Sequence, residues 1–165
     1  MDKKYKYSSR NHNLWMAAQS LRTEYARRLA LYELELYDTG KGKREVENDE
    51  AAQIRAYSMS SNLRRQFMMR CIVAYLDNAY IEAGHTIESL GCSRAAMDAM
   101  VKECLEAKWI TQKKNKQGYR RIQATGIVVD CWFGYADHVT NLANKYDLNY
   151  LSTSAKKIRD LLDTK

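Results

Sequence analysis

The residues whose types and spacing point most directly to chemistry lie between Ala83 and Lys102, in the segment AGHTIESLGCSRAAMDAMVK. This segment predicts two short helices joined by a tight turn, in which Gly91 supplies a positive φ and apolar residues lie on both sides. Ser93 is suited to cap the second helix by accepting from the amide of Ala95 or Ala96. The pattern is typical of a DNA-binding helix-turn-helix.

The cap at Ser93 fixes which side chains of the second helix face outward. The 3.6-residue period predicts five inward-facing residues, which are Met97, Met100, Val101, Cys104 and Leu105. It leaves four residues on or near the outer side, which are Arg94, Ala95, Asp98 and Lys102. With Ser93 at its start, this outer side is the predicted DNA-reading surface.

Each outward side chain suits a different contact. Arg94 could form a bidentate pair with a guanine edge, and Ala95 could contact a thymine methyl group. Lys102 is better placed for a phosphate. Asp98 has two open interpretations: it accepts from a cytosine amine, or it stabilises the start of the helix.

A basic hairpin is predicted directly after this helix. Trp109–Lys114 and Tyr119–Gln123 are rich in residues that favour strands, and Asn115–Gly118 is a suitable turn. Such a hairpin is a wing. Its tip would carry five cations, which are Lys113, Lys114, Lys116, Arg120 and Arg121.

The net charge of +7 is concentrated in this hairpin. Between Lys108 and Arg121 lie six basic residues and no acidic one, which leaves 21 basic against 20 acidic residues elsewhere. Local positive charge favours a polyanion, because binding releases counterions from phosphates. A merely solvated charged hairpin is the alternative, but the neighbouring helix-turn-helix favours nucleic acid.

The remaining sequence predicts helices around one hydrophobic core. The chain has 165 residues, 45% of them apolar, and no proline. A helix should run from Asn13 to a point before Gly40, with one apolar stripe formed by Leu14, Ala18, Leu21, Tyr25, Leu29, Tyr32 and Leu36. At about 25 residues, or roughly 37 Å, this helix is longer than a small core needs, which suggests burial against a second copy.

Three further segments complete the prediction. Thr39–Glu50 is charged and predicts a loop, and Ser61–Leu76 predicts a helix whose inward candidates are Leu63, Phe67, Cys71, Val73 and Leu76. A helix of about 20 residues should begin near Thr125. Ser154 should cap a short terminal helix with three apolar residues on one side, which are Ile158, Leu161 and Leu162.

From about Phe67 to Trp132 the sequence resembles the MarR family of winged-helix regulators. The resemblance is clearest in LGCSRAAMDAMVKECLEAKWI, in the basic hairpin that follows, and in Ala124–Gly126, which opens a helix. The chain departs from the family pattern at Thr86, where a larger apolar residue is usual. It also departs in the wing, where Asn115 and Gln117 lie near the place of an Asp-x-Arg pattern.

The resemblance implies a symmetric dimer built from the terminal helices. Residues from Ser93 to Lys102 would enter the major groove, and Lys113–Arg121 would reach the minor groove or the backbone. A small-molecule effector is a further partner that the resemblance suggests, held by aromatic residues such as Trp15, Trp109 and Trp132. Aromatic residues of this kind more often belong to the core.

The fold class is therefore mainly α with a small β-hairpin wing: a winged helix-turn-helix with long N- and C-terminal dimerisation helices. The expected boundaries are 1–12 for a flexible basic tail, 13–60 for the N-terminal dimerisation helix and linker, 61–124 for the DNA-binding lobe, and 125–165 for the C-terminal dimerisation helices. Double-stranded DNA and a second copy of the chain are the expected partners.

Other classes of function are disfavoured. His12, His85 and His138 are far apart in sequence, and none of the four cysteines forms a C-x-x-C pair, so we expect no enzyme, metal site or cofactor. Packing is the favoured role of the cysteines, with redox sensing as an alternative. We expect a cytoplasmic protein with no membrane partner. The expected function is that of a dimeric transcriptional repressor. The alternatives are an architectural or protein-interaction module and an RNA-binding protein.

Overall fold

The computed structural model describes residues 9–41 and 48–163. The helices are α1 (Ser9–Lys41), α2 (Asp49–Met59), α3 (Asn62–Leu76), α4 (Ala83–Leu90), α5 (Arg94–Glu106), α6 (Gly126–Lys145) and α7 (Leu148–Asp163). The strands are β1 (Ile81–Glu82), β2 (Ile110–Lys114) and β3 (Arg120–Ala124). The expectation of a mainly α fold with a small hairpin is confirmed.

The chain divides into two compact units. Of the described residues, 48–136 form one unit, called the lobe below, and 9–41 with 137–163 form the other, called the helical unit. The lobe is larger than the predicted range of 61–124. The reason is that Ile54 of α2 and both Val128 and Val129 of α6 are buried in the same core cluster.

Helix α2 is absent from the sequence prediction, which places a loop up to Glu50 and the next helix at Ser61. Asn48 caps α2 by accepting from the amide of Ala51 at 2.7 Å. Only Ile54 of this helix is buried, so α2 has no apolar stripe that a periodicity search would detect.

The core of the lobe is formed by α3 and α5 packed against the sheet. Its fully enclosed side chains are Phe67, Met68, Cys71, Met97, Cys104, Ile122 and Val128. Three predicted core residues are wrong, because Val73, Leu76 and Leu105 are 55%, 45% and 36% exposed. On α3 the buried side holds Phe67, Met68, Cys71 and Ile72, so Val73, about 100° further round the helix than Ile72, faces solvent.

The sheet has three antiparallel strands in the order β1-β3-β2. Strands β2 and β3 form the predicted hairpin, with Ile110 opposite Ala124 and Lys114 opposite Arg120. The third strand, β1, was not predicted, since its two residues are too few to show a pattern. It pairs through Ile81 with Ile122.

The helical unit contains α1, α7 and the C-terminal part of α6. Its core joins Tyr32, Leu142 and Leu148, and the predicted stripe of α1 is confirmed because none of its residues is exposed. Arg28 bridges Glu24 and Asp147, and Glu35 accepts from Lys145 and Tyr146.

Three predicted boundaries in this unit are wrong. Helix α1 already includes Ser9–His12, part of the expected tail, and it continues through 39–41, part of the expected loop; residues 1–8 lie outside the described residues. Helix α7 begins at Leu148 rather than after Ser154, because Leu148 and Leu151 are buried and extend the apolar side by two turns.

None of the described helices is long and apolar enough to cross a membrane.

Candidate nucleic-acid interface

The turn between α4 and α5 has the geometry that the sequence predicts. Gly91 adopts φ 61° and lies at the C-terminal end of α4, with its amide donating to the carbonyl of Glu88 at 3.1 Å. The hydroxyl of Ser93 accepts from the amide of Ala96 at 3.1 Å, which selects Ala96 over Ala95 as the capped residue. The start of α5 is therefore fixed by local hydrogen bonds.

Thr86, the atypical residue of the first helix, is 4% exposed. Its hydroxyl donates to the carbonyl of Glu82, the residue before α4, at 2.9 Å, so the buried polar group is satisfied by the local backbone. The departure from an apolar residue is thus accommodated without disrupting the helix-turn-helix.

The outward surface of α5 is confirmed as a geometric prediction. Ser93, Arg94, Ala95, Asp98 and Lys102 are all exposed, whereas Met97, Met100, Val101 and Cys104 are buried. Lys102 lies 3.9 Å from Glu106 of the same helix.

The rear of α5 is held by a contact that sequence reasoning missed. The guanidinium of Arg64 donates to both carboxylate oxygens of Glu103, at 2.9 and 3.0 Å, and lies 4.9 Å from the ring centre of Tyr57. The pairing joins α3 to α5 across 39 residues, a separation at which spacing carries no signal.

The wing is closed by a turn that one side chain organises. Asn115 Oδ1 accepts from the amides of Gln117 and Tyr119, at 3.0 and 2.8 Å, and Gly118 adopts φ 84°. These bonds explain how the hairpin closes with Asn115 at the first turn position. The predicted turn is confirmed.

The five cations of the wing do not form one cluster. Lys114 lies opposite Arg120 on the face that also carries Ile110 and Ile122, whereas Lys113 lies opposite Arg121 on the other face. The five cations look like one patch in the sequence, because the sequence does not show the register of the hairpin. Only the register shows which residues lie on the same face of the sheet.

Three of these cations have partners within the lobe. Lys113 donates to the hydroxyl of Tyr80 at 3.2 Å, and Arg121 lies 3.5 Å from the carboxylate of Glu82. Arg120 donates to Asp98 at 2.5 Å. Lys114 and Lys116 are exposed and, within the described residues, have neither a hydrogen bond nor an ion pair; the same holds for Arg94 of α5.

The Arg120–Asp98 contact brings the two predicted groups of site residues together. It places the outward side of α5 directly beside one face of the wing. Asp98 therefore has a third role, which neither of its two sequence-based interpretations anticipated.

Cys71, Cys104 and Trp109 are buried in the lobe core, whereas Trp15 is exposed on α1. The partly buried side chains that pack against this core include Cys92, Cys131 and Trp132. Burial raises the pKa of Cys71 well above its usual range and raises that of Cys104 to about 11, so both thiols stay neutral near pH 7. Trp109 is 8% exposed and packs edge-on against Tyr57. Among the described residues, no group of three or more His, Cys, Asp or Glu side chains could hold a metal ion.

A helix-turn-helix followed by a hairpin that packs beside its second helix is a winged helix, and the lobe has this fold. No protein-family model matches the sequence, and comparison with curated protein sequences finds no match.

Among solved structures, the chain is similar to MepR, a transcription regulator of the Staphylococcus aureus multidrug efflux pump MepA, with 9% identity and a TM-score of 0.49 over 81% of this chain and 96% of that one. It is similar to Lactococcus lactis ZitR, with 14% identity and a TM-score of 0.44 over 82% and 94% of the two chains. It is also similar to the adhesin competence repressor AdcR of Streptococcus pyogenes, with 16% identity and a TM-score of 0.39 over 65% and 79%. These are MarR-family regulators, the family that the sequence resembles.

Proposed function

We propose that this protein is a sequence-specific, double-stranded DNA-binding regulator of transcription that acts as a homodimer and represses its targets. The observation that carries the proposal is the adjacency of α5 and the wing, marked by the Asp98–Arg120 contact. One continuous surface then presents a capped helix of 13 residues and a basic hairpin. Such a surface suits the major groove and the adjoining backbone of a duplex.

The proposed roles follow from position and charge. Arg94 and Ala95, in the first turn of α5, would contact base edges, and Ser93 would approach the backbone at the helix start. Lys102 would bind phosphate. The wing residues Lys113, Lys114, Lys116 and Arg121 would supply the positive field, and Arg120 lies within it beside Asp98.

Dimerisation is supported by apolar side chains that the helical unit leaves uncovered. Leu31, Leu34 and Tyr37 follow one another at three-residue spacing on α1 and are 38%, 61% and 59% exposed. Trp15 and Met16 are exposed near the other end of this helix. A second copy is the occupant proposed for this surface, which implies a nearly palindromic site with half-sites about 34–36 Å apart. A small-molecule effector and a cytoplasmic location belong to the same proposal.

The test is selection of bound fragments from random duplex DNA, followed by titration of the selected and a scrambled duplex over a series of salt concentrations. Arg94→Ala should relax base preference at one position, at a cost of about 1–3 kcal/mol. Lys114→Ala should weaken both duplexes alike and flatten the salt dependence.

The same titration distinguishes the alternatives. Equal affinity for selected and scrambled duplexes would favour an architectural protein, and preference for RNA in competition would favour an RNA-binding one. No binding to duplex DNA at low salt would contradict the proposal and leave a protein-interaction module.

A further inference from the structure

We infer that Asp98 and Arg120 form a positioning pair that sets the wing against α5, and that Arg120 is not a phosphate ligand. This inference rests on the proposed DNA-binding function and deepens it. It divides the basic residues of the wing into those that contact the duplex and one that orients the hairpin.

The first step is the geometry of the pair. Asp98 lies in the second turn of α5 and Arg120 is the first residue of β3, 22 positions further along the chain. Their side chains meet at 2.5 Å. The pair therefore joins the two elements that the duplex would have to fit at once.

The second step is exposure. The side chain of Arg120 is 28% exposed, less than the 47% of Arg121 on the opposite face of the wing. Lys114, directly opposite Arg120 across the hairpin, is exposed and has no partner among the described residues. Of two cations on one face, one is engaged by the protein and the other is available to a phosphate.

The third step is charge. Asp98 carries a carboxylate on the outward side of α5, where phosphates would approach and repel it. If Arg120 turned to a phosphate, this carboxylate would be left without its cation beside the polyanion. Keeping the pair together neutralises both groups, so neither adds a net charge to the interface.

The consequence for binding is a specific salt dependence. Each phosphate contact contributes a slope of about −0.9 to log K against log salt concentration. Lys114→Gln should therefore flatten the slope by about 0.9 per protomer. The double variant Asp98→Asn with Arg120→Gln, which removes both charges of the pair, should leave the slope at its wild-type value and weaken binding to the selected duplex by up to about fivefold, because the wing loses its fixed orientation.

Asp98→Asn should change the salt slope in the direction opposite to that of Lys114→Gln. Without the carboxylate, Arg120 becomes available to a phosphate, so the slope should steepen by about 0.9 per protomer. Affinity for scrambled duplex should rise and the ratio of selected to scrambled affinity should fall. In the double variant Asp98→Asn with Arg120→Gln the slope should return to the wild-type value.

The experiment measures the affinity of the full chain for both duplexes at five or more salt concentrations, with thermal unfolding of every variant as the folding control. Asp98→Ala with Arg120→Met removes the same two charges and replaces the double variant if the latter does not fold, with the same unchanged slope expected. Asp98→Asn tests the pair independently of either.

The outcomes separate the two claims. A wild-type chain that ignores duplex DNA at low salt overturns the proposed function together with the pair's role. A wild-type chain that binds, while the double variant Asp98→Asn with Arg120→Gln flattens the slope as much as Lys114→Gln does, overturns the positioning pair alone. An unchanged slope in Asp98→Asn overturns it as well.

Discussion

The lobe and the helical unit are held together in different ways. The lobe encloses a large core in which side chains such as Phe67, Met68 and Cys104 are 0% exposed. Within the described residues, the helical unit has a smaller buried cluster, ion pairs on its surface and exposed apolar side chains along α1. The difference indicates that the core of the lobe can stabilise it alone, whereas the helical unit, whose surface ion pairs contribute little, depends, as we propose, on a second copy.

The largest expected effect is on the lobe core. Phe67→Ala should lower the free energy of unfolding by about 3–5 kcal/mol, since it removes a fully enclosed ring. Val73→Ala, on the exposed side of the same helix, should change it by less than about 0.5 kcal/mol. Urea denaturation measures both. A similar loss for both variants would mean that the outer side of α3 is also covered.

The next largest effect is expected on the stability of the lobe at alkaline pH. Burial raises the pKa of Cys104 from 9.0 to about 11, so its neutral form is favoured in the folded chain. A thiol whose pKa is raised in the folded chain contributes stability below pH 9, and this contribution is lost as the pH rises towards 11. For Cys104 the loss in the free energy of unfolding is about 3 kcal/mol. Cys71 and Tyr57, whose pKa values burial also raises, should act in the same direction.

A variant of Cys104 can test whether this thiol causes the loss of stability at alkaline pH. Cys104→Ala should be less stable than the wild type at pH 7, but its stability should fall less steeply between pH 9 and 11. Fluorescence of Trp109, after replacement of Trp15 and Trp132 by phenylalanine, follows the unfolding of the lobe. Equal pH slopes for the two proteins would exclude Cys104 as the cause.

A smaller effect is expected at the apolar line of α1. Leu34→Glu should raise the dimer dissociation constant by about tenfold or more, equivalent to about 1.4 kcal/mol, because it introduces a charge where a second copy would pack. Sedimentation velocity over a range of concentrations measures the shift. Val73→Glu, an equally charged change on an exposed lobe residue, is the control and should leave the oligomeric state unchanged.

The smallest effect is expected in acid and concerns the helical unit. Hydrogen bonds from Arg27 and Arg28 lower the pKa of Glu24 to about 2, and Lys145 and Tyr146 lower that of Glu35. A carboxyl group whose pKa is lowered in the folded chain stabilises that chain above pH 4.5, the usual pKa of the group. This stabilisation is lost as the pH falls below 4.5. Because these pairs lie at the surface, the loss should be modest.

Trp15, in α1, can report this acid step when Trp109 and Trp132 are replaced by phenylalanine. The free energy of unfolding should fall less between pH 7 and pH 3 in the double variant Glu24→Gln with Glu35→Gln than in the parent protein. If the lobe loses stability first on acidification, the proposed contrast between the two units does not hold.

The parts of the fold that repeat or follow local rules could be predicted from the sequence. Gly91 and Ser93 mark the turn and cap of the helix-turn-helix, and the spacing along α1 and α6 reveals their apolar sides. The outward side of α5 follows directly from the cap. These features depend on neighbours within a few residues.

The parts that depend on distant neighbours could not be predicted. Helix α2 has one buried residue, and β1 becomes a strand only by pairing with β3. The exposure of Val73 depends on which side of α3 meets the sheet. The partner of Asp98 lies 22 positions away, so no spacing within α5 could reveal it.

The position of β2 in the sheet has a consequence for the soluble state of the protein. Among the described strands β2 pairs only with β3, so its other edge presents backbone groups on which a strand of another molecule could add. All of its residues after Ile110 are exposed, and Lys113 and Lys114 place positive charge along this edge. Repulsion between such edges opposes aggregation, so variants that neutralise both lysines should precipitate at lower protein concentrations than variants that exchange them for arginine.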